Sequence, residues 1–110
     1  MNIAWSDFEK ICLRVGTIVD VQAFPKAKKP AYKLTIDFGQ HGIKHSSAQI
    51  TVLYSRDELI GKQVVAVVNF PPKQIADFFS ECLVLGVYNE HNDVVLLQPD
   101  RLVQNGGKIG

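Results

Sequence analysis

Tyr54-Ser-Arg-Asp-Glu-Leu-Ile-Gly61 decides the fold. Ser55 and Glu58 stand at capping-box spacing: the serine hydroxyl accepts from the amide three residues on, and the glutamate carboxylate accepts from the serine amide. Tyr54 and Leu59 occupy the staple positions around that turn, and Gly61 supplies the left-handed residue that ends a helix. The stretch predicts a helix of one to two turns with both ends marked, set between strand patterns. Before it, Leu34, Ile36 and Phe38 alternate with Lys33, Thr35 and Asp37, the period of a half-buried strand. After it, Gln63 to Phe70 is nearly all valine and reads as a central strand buried on both faces; Glu81 to Tyr88 reads the same way.

Working outward, Arg14 to Phe24 predicts a first strand, with Gly16 as a point of bend or bulge. The second strand ends at Gly39, and Gln40-His-Gly42 leads tightly into a third, Ile43 to Thr51. The middle of that third strand, His45-Ser-Ser-Ala-Gln49, is polar enough that one face must be solvated or used. Ser6-Asp-Phe-Glu9 matches a second capping box, opening a short helix to about Cys12 whose Trp5, Phe8, Ile11 and Cys12 share one face. At the other end, Asn89 to Asp93 turns the chain into a further strand, Val94 to Gln98.

Five strands with a short helix between the third and fourth is the order of the OB-fold, a partly open Greek-key barrel. The expected class is therefore all-β with short helices: a five-stranded OB-fold barrel with an N-terminal helix and a C-terminal strand extension. Residues 1–110 are expected to form a single domain, since no repeat, linker or low-complexity run divides them. A domain of 110 residues buries roughly two thirds of its unfolded surface, so pairing with a second copy would help it.

The fold brings the two most unusual segments to one side, because OB-folds bind with the face of strands two and three and with the loops joining strands 1-2 and 4-5. One loop is the basic turn Pro25-Lys-Ala-Lys-Lys-Pro30. The other is Asn69-Phe-Pro-Pro-Lys-Gln-Ile-Ala-Asp-Phe-Phe-Ser-Glu81. Pro71 and Pro72 fix φ and remove two donors, so the chain must leave the sheet there and form a stiff apolar loop. Phe78 and Phe79 either fold with Ile75 as one apolar helical turn or continue into a strand, which sends one ring out of the core. Lys26, Lys28, Lys29 and Lys33 read either as a phosphate-tracking patch or as a solvated turn. Ser46, Ser47 and Gln49 read either as a solvated face or as hydrogen-bonding groups for an extended peptide or phosphates.

Several classes drop out. A net charge of +1 excludes a strongly basic nucleic-acid binder, leaving only a local patch. No window reaches the length of a membrane span and the N-terminus lacks a signal-peptide pattern, so a cytoplasmic protein without membrane insertion is expected. Cys12 and Cys82 read as small buried hydrophobes. His41, His45 and His91 make no metal spacing with them, so neither metal nor cofactor is expected. The carboxylates are paired with no nucleophile, and Ser46-Ser47 lacks a glycine elbow, so no enzyme is expected.

Arg14-Val-Gly-Thr-Ile-Val19, Lys33-Leu-Thr-Ile-Asp-Phe-Gly39, Gly61-Lys-Gln-Val-Val65, Val68-Asn69 and Ser80-Glu81 resemble the tRNA-binding domain family, found appended to aminoacyl-tRNA synthetases and free-standing. Lys44-His-Ser-Ser-Ala-Gln-Ile-Thr51, Gln63 to Pro72, Leu83-Val-Leu-Gly86 and Val94 to Asp100 resemble its CsaA, export-related chaperone branch. The resemblance implies a non-catalytic homodimer that binds unfolded polypeptides or preproteins, with protein-export machinery and tRNA as further partners. The expected peptide site comprises Ser46, Ser47, Gln49, Asn69, Phe70, Pro71, Pro72, Phe78 and Phe79. Lys44, Lys73 and Ser80 join Lys26, Lys28, Lys29 and Lys33 as expected nucleic-acid contacts, and the resemblance gives Trp5, Phe8, Ile11, Cys12, Val94 and Leu96 to the dimer interface. The chain departs from the family at Asp77, where relatives commonly have glycine, and at Phe79, where they carry charge. Asp77 is accordingly expected to hold the left-handed turn.

Overall fold

The computed structural model describes residues 1–110. Its main sheet is five-stranded and antiparallel, in the order β3-β2-β1-β4-β7: β1 is Leu13–Ala23, β2 Tyr32–Asp37, β3 Ile43–Ala48, β4 Gln63–Val67 and β7 Leu83–Val84. Two ribbons complete it, β5 (Lys73–Ile75) with β6 (Phe78–Ser80), and β8 (Gly86–Tyr88) with β9 (Val94–Leu96). This is an OB-fold. The length of β1 lets it serve two neighbours, pairing its first half with β4 and its second half with β2. The register slips between Ile18 and Asp20, so the bulge falls at Val19 and not at Gly16. Gly16 has a different use: a side chain there would come within 2.6 Å of Ile36 and 2.7 Å of Phe38, so its hydrogen lets β1 close on the core.

Leu34 and Ile36 of β2 and Phe38 just past its end keep the alternation and are fully buried together with Ile18, Val64 and Leu59. Leu59 comes from helix α2 (Arg56–Leu59), which ends as its sequence requires. The Ser55 amide donates to Glu58 Oε1 at 2.6 Å, the Glu58 amide donates to Ser55 Oγ at 3.3 Å, and Gly61 takes φ +92°.

The N-terminal helix starts earlier than expected. Helix α1 is Trp5–Glu9, its carboxylate partner is Asp7, which accepts from the Ala4 amide at 2.9 Å, and Ser6 lies inside it. The larger difference is at Glu81–Tyr88, which is not a strand buried on both faces. It breaks at Leu85 and continues as β8, which pairs with β9 in a separate ribbon, and a side chain at Gly86 would run into Val94 of that partner strand. Val87 and Tyr88 are exposed, as is Leu83 in the edge strand β7.

The barrel closes twice. At one seam β3 meets the chain after β6: Glu81 N donates to His45 O at 2.7 Å, Ser46 Oγ to Cys82 O at 3.0 Å, and Ser47 N to Ser80 Oγ at 3.1 Å. At the other, residues 103–109 run beside the start of β1, with Val15 N donating to Gly107 O at 3.0 Å and Gly106 N to Val15 O at 2.7 Å. Buried Gln63 fastens this tail, giving Nε2–H to Val103 O and accepting from Val103 N. No helix of the chain is long and apolar enough to cross a membrane.

Candidate functional site

The β5–β6 hairpin is the apolar loop of the sequence, and it settles which phenylalanine leaves the core. Ile75 and Phe78 pair across the turn, Phe78 stacks edge-on against Phe24 with centroids 5.4 Å apart, and Phe79 is 55% exposed. Strand alternation sends the two rings to opposite faces. The left-handed turn residue is Ala76, at φ 55°, and not Asp77. Asp77 is free instead to bind Lys26 Nζ at 2.8 Å, which ties the basic turn to the hairpin. That hydrogen bond and the opposite charges raise the Lys26 pKa and lower that of Asp77.

Between the hairpin and the end of β3 lies a groove of about 500 Å³, with Gln49, Ile50, Lys73, Ile75, Val84 and Val94 among its walls. It continues past Lys73 into a second cleft of about 580 Å³ walled by Lys26, Lys28, Lys29 and Gln74, and no carboxylate lines either part. A smaller recess of about 270 Å³ lies under Phe70 and Pro71 beside Leu83. Phe70 is 54% exposed, so the double proline does present an apolar ridge.

The expected peptide residues do not all reach this surface. Ser47 and Gln49 line the groove, Phe70 and Pro71 border the adjoining recess, and Pro72 and Phe79 are exposed, Phe79 on the hairpin face away from the groove. Ser46 is 1% exposed, because β3 is folded over the barrel and its hydroxyl must satisfy Cys82 O inside. The Asn69 side chain is committed to backbone: Oδ1 accepts from Cys12 N at 2.9 Å and Nδ2 donates to Lys10 O at 2.8 Å, fixing α1 against the end of β4. Phe78 is half-buried, packed edge-on against Phe24.

Among the expected nucleic-acid residues, Lys28, Lys29 and Lys73 are exposed and have no carboxylate partner, while Lys26 is held by Asp77. Lys33 is half-buried, its Nζ 5.5 Å from the Phe24 ring centre and 5.9 Å from that of Phe78, a cation–π arrangement that supports the hairpin. Lys44 is half-buried. Ser80 is used at the seam. There, Glu81 Oε1 accepts from the His45 amide and contacts His45 Nδ1, both at 2.9 Å. Burial pushes the Glu81 carboxyl upward, but the His45 contacts and the charge of Lys44 outweigh it, so it titrates below the usual glutamate range. Burial pushes the Cys82 thiol up to about 11.

At the expected dimer face Trp5 and Ile11 are exposed and Phe8 and Cys12 half-buried. Val94 is half-buried against the core, and Leu96 is buried in it. The exposed positions of that segment are its neighbours Val95 and Leu97, joined by Leu83, Val87, Tyr88 and Leu102, which sequence reading missed. Gly86 was the available signal, since a glycine inside a strand pattern marks a close backbone approach. No group of three or more His, Cys, Asp or Glu side chains is placed to hold a metal ion.

The family described as "Putative tRNA binding domain" matches residues 13–108. In the crystal structure of the chaperone CsaA from Bacillus anthracis, 52% of residues are identical, all of both chains is covered and the TM-score is 0.95. The CsaA chaperone protein from Picrophilus torridus is 55% identical over 99% of this chain and 100% of that one, with a TM-score of 0.94. The methionine–tRNA ligase of Thermococcus onnurineus is 36% identical over 97% of this chain, which spans only 14% of the ligase.

Proposed function

From the premise that this chain belongs to the tRNA-binding domain family, in its CsaA branch, we propose that it is a non-catalytic chaperone that captures unfolded or export-destined polypeptide segments. The observation that carries this reading is the groove beside β3, apolar where Ile50, Ile75 and Val84 line it, with the exposed Phe70 at the adjoining recess and Phe79 exposed on the other face of the hairpin. A ridge stiffened by Pro71 and Pro72 loses little entropy on docking, and an apolar side chain contributes on the order of 1.5–3 kcal/mol when fully buried. That is the scale of weak, sequence-tolerant capture. The working unit is a cytoplasmic homodimer that covers exposed apolar side chains of α1 and of the β8–β9 segment, Trp5, Val87 and Leu97 among them. The test is suppression of client aggregation by light scattering: Phe79→Asp weakens it with the fold intact. Full activity of that variant would move the client surface away from the hairpin.

Lys28, Lys29 and Lys73, unpaired at one end of the groove, favour a second reading in which the same face holds tRNA. About three phosphate contacts to single-stranded regions give a slope of log affinity against log salt near −2. Replacing Lys28 and Lys29 by Ala flattens it. Binding indifferent to both changes would leave these lysines as solvated surface.

A further inference from the structure

The groove is walled by two strand edges that do not bond to each other. Along β3, His45 and Ser47 direct their backbone amides at the seam, where Glu81 and Ser80 accept from them. Gln49 is the next residue in that alternation, and neither its amide nor its carbonyl has a hydrogen-bond partner in the chain. On the opposite wall Leu85 N donates to Val65 O, so the amide and carbonyl of Val84 point away from β4 and also face the groove. The seam is thus bridged as far as Ser47 and Cys82 and open beyond them.

We infer that the client segment binds in extended form as an added β-strand, continuing the β3 ladder at Gln49. This rests on the chaperone reading and specifies how its site works. An edge offers alternating N–H and C=O groups, and only another polypeptide backbone matches both; a helix has spent its own, and a phosphate backbone offers acceptors alone. The added strand starts at Gln49, beyond the bridged part of β3, and faces Val84 on the opposite wall. Alternate side chains of the client then meet the half-buried Ile75 and Val84. Where the strand leaves past Lys73, toward Lys28 and Lys29, these three lysines, none of them paired with a carboxylate as Lys26 is, favour acidic residues.

The test uses a fluorescein-labelled peptide of alternating valine and threonine ending in two glutamates, titrated with the full chain by fluorescence anisotropy. Two isomers carry N-methyl groups on alternate amides, one on each parity. Methylation of the parity that faces β3 lowers affinity about tenfold or more, and methylation of the other parity leaves it unchanged. Gln49→Ala keeps the affinity because the backbone is the partner, whereas Gln49→Pro lowers it as methylation does. If Gln49→Pro does not fold, the two methylated peptides decide alone. Equal binding by all three peptides would overturn strand addition while leaving peptide capture, and so the chaperone reading, standing. Displacement by single-stranded oligouridine with no parity effect would make the groove a nucleic-acid interface. Loss of both peptide binding and aggregation suppression would remove the chaperone reading itself.

Discussion

β4 and the run Leu83–Tyr88 are alike in composition and differ in surroundings. Val64, Ala66 and Val67 are at most 6% exposed, whereas Leu83, Val87 and Tyr88 stand 49%, 54% and 72% exposed. β4 lies between β1 and β7, so both of its edges and both of its faces are occupied. The second run lies at the edge of the sheet and then leaves it, so Leu83, Val87 and Tyr88 stay about half or more exposed. An aliphatic run therefore specifies strand, but burial is decided by what lies on either side of it. In this molecule the difference leaves apolar surface at one end, where the proposed second copy sits.

The most severe way to probe that comparison is to place a charge in each run. Val64→Asp buries an unpaired carboxylate and costs more than about 4 kcal/mol, which urea denaturation reads as loss of the folded state. Val87→Asp stays within about 0.5 kcal/mol for the isolated chain and shows itself in sedimentation as weakened self-association. Equal destabilisation by both would break the comparison. Gly16→Ala is a milder test on the buried side: its methyl group meets Ile36 and Phe38 where no space remains, at a cost of about 1–3 kcal/mol.

The β5–β6 hairpin repeats the contrast between two adjacent residues. Phe79→Asp shifts stability by less than about 0.5 kcal/mol, and Phe78→Asp, which strips the Phe24 contact, shifts it several-fold more. The smallest effect lies at the seam. The Glu81 carboxyl is held below the usual range when folded, so its contribution is complete above the ordinary glutamate pKa and is lost as pH falls through the lowered one. Glu81→Gln therefore narrows the gap from the parent as the pH of the urea titration is lowered. A constant gap would detach Glu81 ionisation from closure of the seam.

What could be read from sequence follows the range of the forces involved. The α2 box is legible in full because Ser55, Glu58 and Gly61 answer to one another within a single turn. The alternation of β2 is legible because the barrel interior selects every second residue. Ser46 was not legible: its fate depends on the Cys82 carbonyl 36 positions away. The same is true of Leu96, whose burial needs β9 paired with β8 in one register and not the next. At the site, the exposed hairpin and the basic turn were visible from their residue types. Asn69 was not, because its partners at Lys10 and Cys12 are brought to it by closure of the fold. Nor was the exchange between Ala76 and Asp77, where a salt bridge to Lys26 claims the residue better suited to the left-handed turn.

The tail that runs beside β1 bears on the time the chain needs to become native. Val15 bonds to Gly107 and Arg14 Nη1 reaches Gly106 O across 92 positions, so the first strand is fully paired only after almost every other segment is in place. Contacts of such long range are reached only after most of the loop-closure entropy has been lost, and barrels of this kind acquire structure in milliseconds to seconds, not microseconds. During that interval the backbone groups of residues 13–15 that face the tail stay open to water and to other chains. Weakening the Gln63 grip on Val103 should therefore lengthen the refolding time or hasten unfolding according to how early the tail docks, and the two arms of a chevron plot separate these cases.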